Sequence, residues 1–126
     1  MATLDDVRRM ALALPGTGEK LSWGHAMWTV AGKGFVWERP LRRPDLEELG
    51  LTEQPWEVIG ARVEDEGEKL ALIAEDPEVF FTVRHFDGYD AILARLDTIG
   101  AARLEELVTS AWLDRAPARL ARELPH

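Results

Sequence analysis

The chain has 126 residues, enough for one domain with a buried core, and its 46% hydrophobic and 30% charged residues are typical of a globular protein. It contains no cysteine, which excludes disulfides, thiolate metal sites and cysteine nucleophiles. The net charge of −8 argues against a surface that attracts nucleic acid everywhere, because phosphate binding depends on Lys and Arg.

The N-terminus carries acidic residues where a secretory signal would carry positive charge, and no apolar run is long enough to span a bilayer. The lack of cysteine is compatible with a reducing compartment. We therefore expect a single domain over residues 1–126, located in the cytoplasm, without membrane contact.

The first third of the chain predicts one helix followed by a meander of strands. Apolar residues recur at helical spacing from Leu4 to Leu14, and a Pro-Gly pair ends the run. Residues 20–38 are rich in Trp, Val and Phe and are interrupted at Gly24 and at residues 31–34. This pattern predicts two or three antiparallel strands joined by tight turns.

The middle of the chain alternates short elements. Pro40 and Pro44 bracket a basic loop, after which residues 45–49 predict a short acidic helix. Residues 56–64 alternate as a strand does, and residues 66–74 place apolar side chains on one helical face.

The last third predicts a return to the sheet and then to a helix. A short apolar run at residues 80–83 precedes a turn, and residues 91–96 predict another strand. From Gly100 onward an apolar stripe predicts a helix. Pro117 either kinks this helix or is the first residue of a second short helix. The fold class expected is α+β, with an antiparallel sheet of about five strands packed against N- and C-terminal helices.

Several segments resemble the MmcQ/YjbR-like family. They are LPGTGEKLSWGH at residues 14–25, WTVAGKGFVW at 28–37, EDPEVFFTVRHFDGY at 75–89 and AWLDRAPARLA at 111–121. The resemblance implies a frataxin-like α+β fold of the double-wing type and the family's customary label of DNA-binding protein. It implies no catalytic residues.

Positive charge is concentrated in residues 17–43, which hold five Lys and Arg against two Glu, whereas residues 44–80 hold twelve acids against two cations. Cations interleaved with aromatic residues suit phosphate contact and base stacking. Arg115, Arg119 and Arg122 recur at helical spacing and add a second basic stripe, although cations there also complement a helix dipole. A sheet whose aromatic residues face the helices while its charges face water is the alternative. The residues predicted to contact DNA are Lys20, Lys33, Arg39, Arg42, Arg43, Arg115 and Arg119.

A second hypothesis is a pocket for a small ligand or a protein partner, because aromatic walls with a few polar groups are usual in such sites. The alternative is a simple turn at residues 87–89 with hydrogen-bonded histidines nearby. The residues predicted to line the pocket are Trp23, His25, His85 and Tyr89.

No motif predicts an enzyme or a metalloprotein. Ser22 and Ser110 lie outside any nucleophile elbow. His25, His85 and Asp87 have the residue types of a two-His-one-carboxylate site, but the sequence does not bring His25 to the other two. We expect a non-enzymatic binding protein without a metal or cofactor.

Overall fold

The computed structural model describes residues 1–124 and contains one antiparallel sheet with helices on it. The strands are β1 (Thr17–Ser22), β2 (His25–Val30), β3 (Lys33–Glu38), β4 (Val58–Arg62), β5 (Phe80–Phe81) and β6 (Ala91–Arg95). The helices are α1 (Leu4–Leu12), α2 (Arg43–Leu49), α3 (Glu66–Glu75), α4 (Ala101–Arg115) and α5 (Ala118–Ala121), with a 3-10 turn at Arg84–Phe86. The strand order is β1-β2-β3-β4-β6-β5.

The strand register separates the two faces of the sheet, because residues directly opposite each other point to the same side. One row crosses from Trp28 to Val36, Ala61 and Ile92. These side chains belong to the main core, which α1 and α4 cover. We call this side the helix face.

The other face is covered only in part. Its central row, from β1 across to β5, is Lys20, Met27, Trp37, Gly60, Leu93 and Phe81. A smaller core covers the β4, β5 and β6 end of this row with side chains from residues 41–56 and 83–86. The β1–β3 end is left open, and we call this side the open face.

The α+β class and the antiparallel sheet predicted from the sequence are confirmed, with six strands instead of about five. The meander forms three strands, and the first of them begins at Thr17, ahead of the aromatic run. Helix α2 begins at Arg43, so Pro44 lies in its first turn, where a missing N–H costs nothing.

The predicted stripe of C-terminal arginines is wrong. Ala116 and Pro117 are extended, with ψ of 137° and 152°, and they separate α4 from α5. Residues before a proline avoid the helical region, so Arg115 and Arg119 do not lie on one continuous helix. Pro117 precedes α5 and caps it; it is not the first helical residue.

Both hairpins of the meander turn through two residues with positive φ. The pairs are Trp23-Gly24, with φ of 54° and 80°, and Ala31-Gly32, with φ of 51° and 78°. This is the pattern of a type I′ turn, which matches the twist of the strands and favours Asn-Gly. Trp23 and Ala31 therefore occupy a backbone conformation that L side chains other than Asn and Asp rarely adopt.

None of the helices within residues 1–124 combines the length and the apolarity needed to cross a membrane.

Replacing Trp23 with Asn will stabilise the protein. The change removes a side chain that is 92% exposed and relaxes a backbone whose φ is positive. The free energy of unfolding is expected to rise by about 1 kcal/mol, measured by urea denaturation. Ala31→Asn, at the matching position of the other turn, is expected to do the same. Loss of stability in both variants would contradict the strain assigned to these turns.

Candidate functional site

A cleft of about 670 Å³ lies on the open face of the sheet. It is lined by the β1–β2 turn, by strands β2 and β3, by residues 39–42, by residues 85–89 and by Arg115 at the end of α4. Its volume falls within the range of small-molecule sites, roughly 300–1,000 Å³.

The base of the cleft exists because two glycines lack side chains. A Cβ on Gly60 would lie 2.5 Å from Nε1 and Cε2 of Trp37, so the indole lies flat across strand β4. A Cβ on Gly34 would lie 2.7 Å from Sδ of Met27. Any larger residue at either position would push these side chains into the cleft.

One wall is fixed by a buried ion pair. Nη2 of Arg39 lies 3.0 Å from Oδ2 of Asp45, and the two side chains are only 7% and 5% exposed. The same carboxylate accepts a hydrogen bond from the backbone N–H of Arg42 at 2.8 Å, which caps α2. Arg39 also donates to the carbonyl of Pro40. Asp45 therefore ties the end of β3 to the start of α2.

A second wall, residues 84–89, is held by a buried lysine. Nζ of Lys69, which is 1% exposed, donates to the carbonyl oxygens of Phe86 at 2.8 Å and Tyr89 at 3.2 Å. At the start of this segment, the backbone N–H of Arg84 donates to the carboxylate of Glu48 at 3.0 Å. The loop that carries His85 and Tyr89 is thus fixed at both ends.

The two walls meet through Phe86. The guanidinium of Arg39 lies 5.2 Å from the centre of the Phe86 ring, a cation–π distance. The same ring contacts His85 edge-on at 5.4 Å and Tyr89 at 5.8 Å. The guanidinium of Arg62 in turn lies 5.0 Å from the centre of the Tyr89 ring.

The rim of the cleft presents exposed aromatic surface. The Trp23 side chain is 92% exposed and Tyr89 is 46% exposed. Four of the chain's ten Trp, Tyr and Phe residues line this one cleft.

Positive charge dominates the cleft. Its lining contains three Arg and two His against a single Glu, in a chain whose net charge is −8. Arg39 is neutralised by Asp45, and Nδ1 of His25 lies 3.6 Å from Oε1 of Glu38. Arg42 and Arg115 remain, and the buried Nε–H of Arg115 has no hydrogen-bond acceptor within residues 1–124. A buried donor without an acceptor is unusual in a folded protein.

All four residues of the pocket hypothesis line this cleft: Trp23, His25, His85 and Tyr89. Sequence reasoning missed Met27, Trp37 and Phe86 as lining residues. The alternation of Met27 with its neighbours in β2 is the signal that places it on the open face.

The seven cations of the DNA hypothesis do not gather on one exposed surface. Arg39 is buried against Asp45, and Arg43 lies 3.6 Å from Glu47. Lys33 starts β3, about 20 Å along the strand from residue 39. Three of the seven line the cleft, namely Arg39, Arg42 and Arg115, whereas Lys20, Lys33, Arg43 and Arg119 do not.

The remaining chemistry-bearing residues form no metal site. Within the described part of the chain, no three His, Asp or Glu side chains come together as metal ligands would, so His25, His85 and Asp87 form no such group. Ser22 and His25 face each other across β1 and β2 and both line the cleft.

Asp114, next to Arg115, has a perturbed acidity. Burial raises the pKa of this carboxyl to about 6, with Glu68 and Glu64 adding to the shift and Arg62 and Arg115 opposing it. A carboxyl whose pKa is raised by folding stabilises the protein while it is protonated, so this contribution is lost as pH rises.

The pH dependence of stability will carry the signature of Asp114. Between pH 4 and pH 6 the unfolded chain loses this proton before the folded chain does, so the free energy of unfolding falls as pH rises through this window. Asp114→Asn is expected to become progressively more stable than the wild type up to pH 6 and to keep a constant advantage above it. The effect will be modest because the side chain retains solvent contact. Urea unfolding at four pH values measures it, and a difference independent of pH would contradict it.

Breaking the Arg39–Asp45 pair will destabilise the fold strongly. Asp45→Ala leaves a buried guanidinium without its carboxylate, which costs about 3–5 kcal/mol of unfolding free energy. Adding Arg39→Met to this variant removes the buried charge and is expected to restore more than half of the loss. Arg43→Ala, which removes an exposed pair, serves as the control with less than about 1 kcal/mol. A double variant no more stable than Asp45→Ala would contradict this account.

Known proteins with related sequences and structures agree with the fold. The YjbR family model matches residues 12–113. The chain is 49% identical over 123 residues to uncharacterized proteins Rv2570 of Mycobacterium tuberculosis and Mb2600 of Mycobacterium bovis, covering 95% of this chain and 93% of each relative. The crystal structure of Deinococcus radiodurans protein DR2400, with domain DUF419, matches with a TM-score of 0.69 at 20% identity, over 99% of this chain and 91% of that one. The MmcQ/YjbR resemblance is thereby confirmed, and this chain belongs to the YjbR family.

Proposed function

We propose that this protein is a non-enzymatic binding protein whose cleft takes a small organic anion. The observation that carries the proposal is the formal charge of the cleft lining, three Arg against one Glu, in a chain of net charge −8. A concave site of one sign concentrates ligands of the opposite sign, while the acidic remainder of the surface repels them.

Two arginines are the proposed anion contacts. The Arg42 side chain is exposed at the start of α2 and lines the cleft. Arg115 lines the same cleft from the end of α4. A guanidinium suits carboxylate and phosphate because its N–H groups form a planar fork.

The size of the site favours a small molecule over a duplex. A cleft of about 670 Å³ holds one drug-sized ligand. A duplex would need several exposed cations spread along its backbone, and the burial of Arg39 removes one of the expected contacts. DNA binding is kept as the alternative function, and the cytoplasmic location stays a prediction.

Arg42→Glu will weaken the binding of a phosphate-bearing ligand. The probe is adenosine 5′-monophosphate, compared with uncharged adenosine by isothermal titration calorimetry. Adenosine is expected to bind at least tenfold more weakly, and Arg42→Glu is expected to cost at least tenfold for the monophosphate because a charge-assisted hydrogen bond is lost. Arg43→Glu is the matched control, since it makes the same change of charge next to the cleft at a side chain that is 91% exposed. It is expected to change affinity less than threefold.

Two results would overturn this proposal. One is equal binding of the monophosphate and adenosine, or binding of neither at millimolar concentration. The other concerns a labelled 24-base-pair duplex, measured by fluorescence polarisation at 50 and 200 mM salt. If the duplex binds more tightly than the monophosphate, loses affinity steeply with salt and is weakened equally by Arg42→Glu and Arg43→Glu, DNA binding replaces the small-anion function.

A further inference from the structure

We infer that the ligand of this cleft carries a planar aromatic ring and that Trp23 selects it by stacking. The inference rests on the proposed function and names the ligand class, a planar ring bearing a phosphate or carboxylate. Its anionic group is assigned to Arg42 and Arg115, and its ring to the aromatic rim.

The stability of the fold does not explain why a tryptophan occupies position 23. Its side chain is 92% exposed, so it contributes almost no burial to stability. Its backbone has φ of 54°, a conformation that is unfavourable for a bulky residue. Residues in such conformations are enriched at functional sites.

The second hairpin provides an internal comparison. The turn at Ala31-Gly32 has φ values of 51° and 78°, nearly those of Trp23-Gly24, and it is built with a methyl side chain. The turn geometry therefore does not require an indole. The two turns differ in their place on the sheet, because only Trp23 lines the cleft.

The cleft supplies further aromatic surface for a ring. Trp37 forms its base over Gly60, and Tyr89, which is 46% exposed, and His85 also line the cleft. Stacking between a planar ring and an aromatic side chain is tolerant of the ring's identity, because every such ring has a π face. The inferred ligand is therefore a ring with a negative group, and the ring type is left open.

The test compares adenosine 5′-monophosphate with ribose 5-phosphate, which has the same ribose and phosphate but no ring. We expect the monophosphate to bind at least tenfold more tightly to the wild type, by calorimetry. Trp23→Ala is expected to weaken monophosphate binding about tenfold and to leave ribose 5-phosphate unchanged, whereas Trp23→Phe stays within threefold of the wild type. The control is Leu21→Ala, because Leu21 is 75% exposed on the same hairpin but lies outside the cleft.

Folding and binding are separated by Trp23→Asn, which is expected to be more stable than the wild type and still to lose ring-dependent affinity. Failure of the proposed function is distinct, because then neither phosphate compound binds and Arg42→Glu has no effect. If both compounds bind equally and Trp23→Ala changes nothing, the small-anion function stands and the inference about the ring is overturned.

Discussion

The cleft depends on Phe86, which is held between two buried cations. Its ring packs under the guanidinium of Arg39 at 5.2 Å, and its carbonyl oxygen accepts a hydrogen bond from the ammonium of Lys69 at 2.8 Å. A buried charge is costly unless every polar group around it is satisfied, so neither cation tolerates a shift of the loop. Because Arg39 is fixed in turn by Asp45, the two walls of the cleft are joined through one aromatic residue. The walls are therefore set before any ligand arrives, which lowers the entropic cost of binding.

The cleft also follows from uneven coverage of the sheet. Helices α1 and α4 cover the helix face, whereas the smaller core covers only the β4, β5 and β6 end of the open face. Trp37 bridges the two regions, because it packs over Gly60 toward the covered end and lines the cleft at the other. The open end of the sheet is consequently a recess with an aromatic base instead of a solvated polar surface.

Local signals made much of the fold predictable from the sequence, and long-range contacts account for what was missed. Gly24 and Gly32 mark the two turns of the meander, and the apolar spacing after Gly100 marks α4. No periodic pattern links Arg39 to Asp45, because one ends a strand and the other opens a helix. From the sequence alone, Arg39 was predicted to be an exposed cation. Only its contact with Asp45 in the folded structure shows that it is buried. The four aromatic and histidine residues of the pocket hypothesis all line the cleft, while the residues at its base could be placed only from the register of β2 and β3.

The acidic character of the chain and its basic cleft are parts of one electrostatic arrangement. Twelve of its acids lie in residues 44–80, and apart from Asp45 they sit outside the buried set, where water screens them. Asp45 is the exception, because it is buried and neutralises Arg39. Arg42 and Arg115 are the arginines of the cleft that form no ion pair within residues 1–124, and the acidic surface around the cleft repels anions. Under the proposed function, selectivity for a small anion would come from the position of these two arginines and not from the net charge, so a total of −8 does not exclude it.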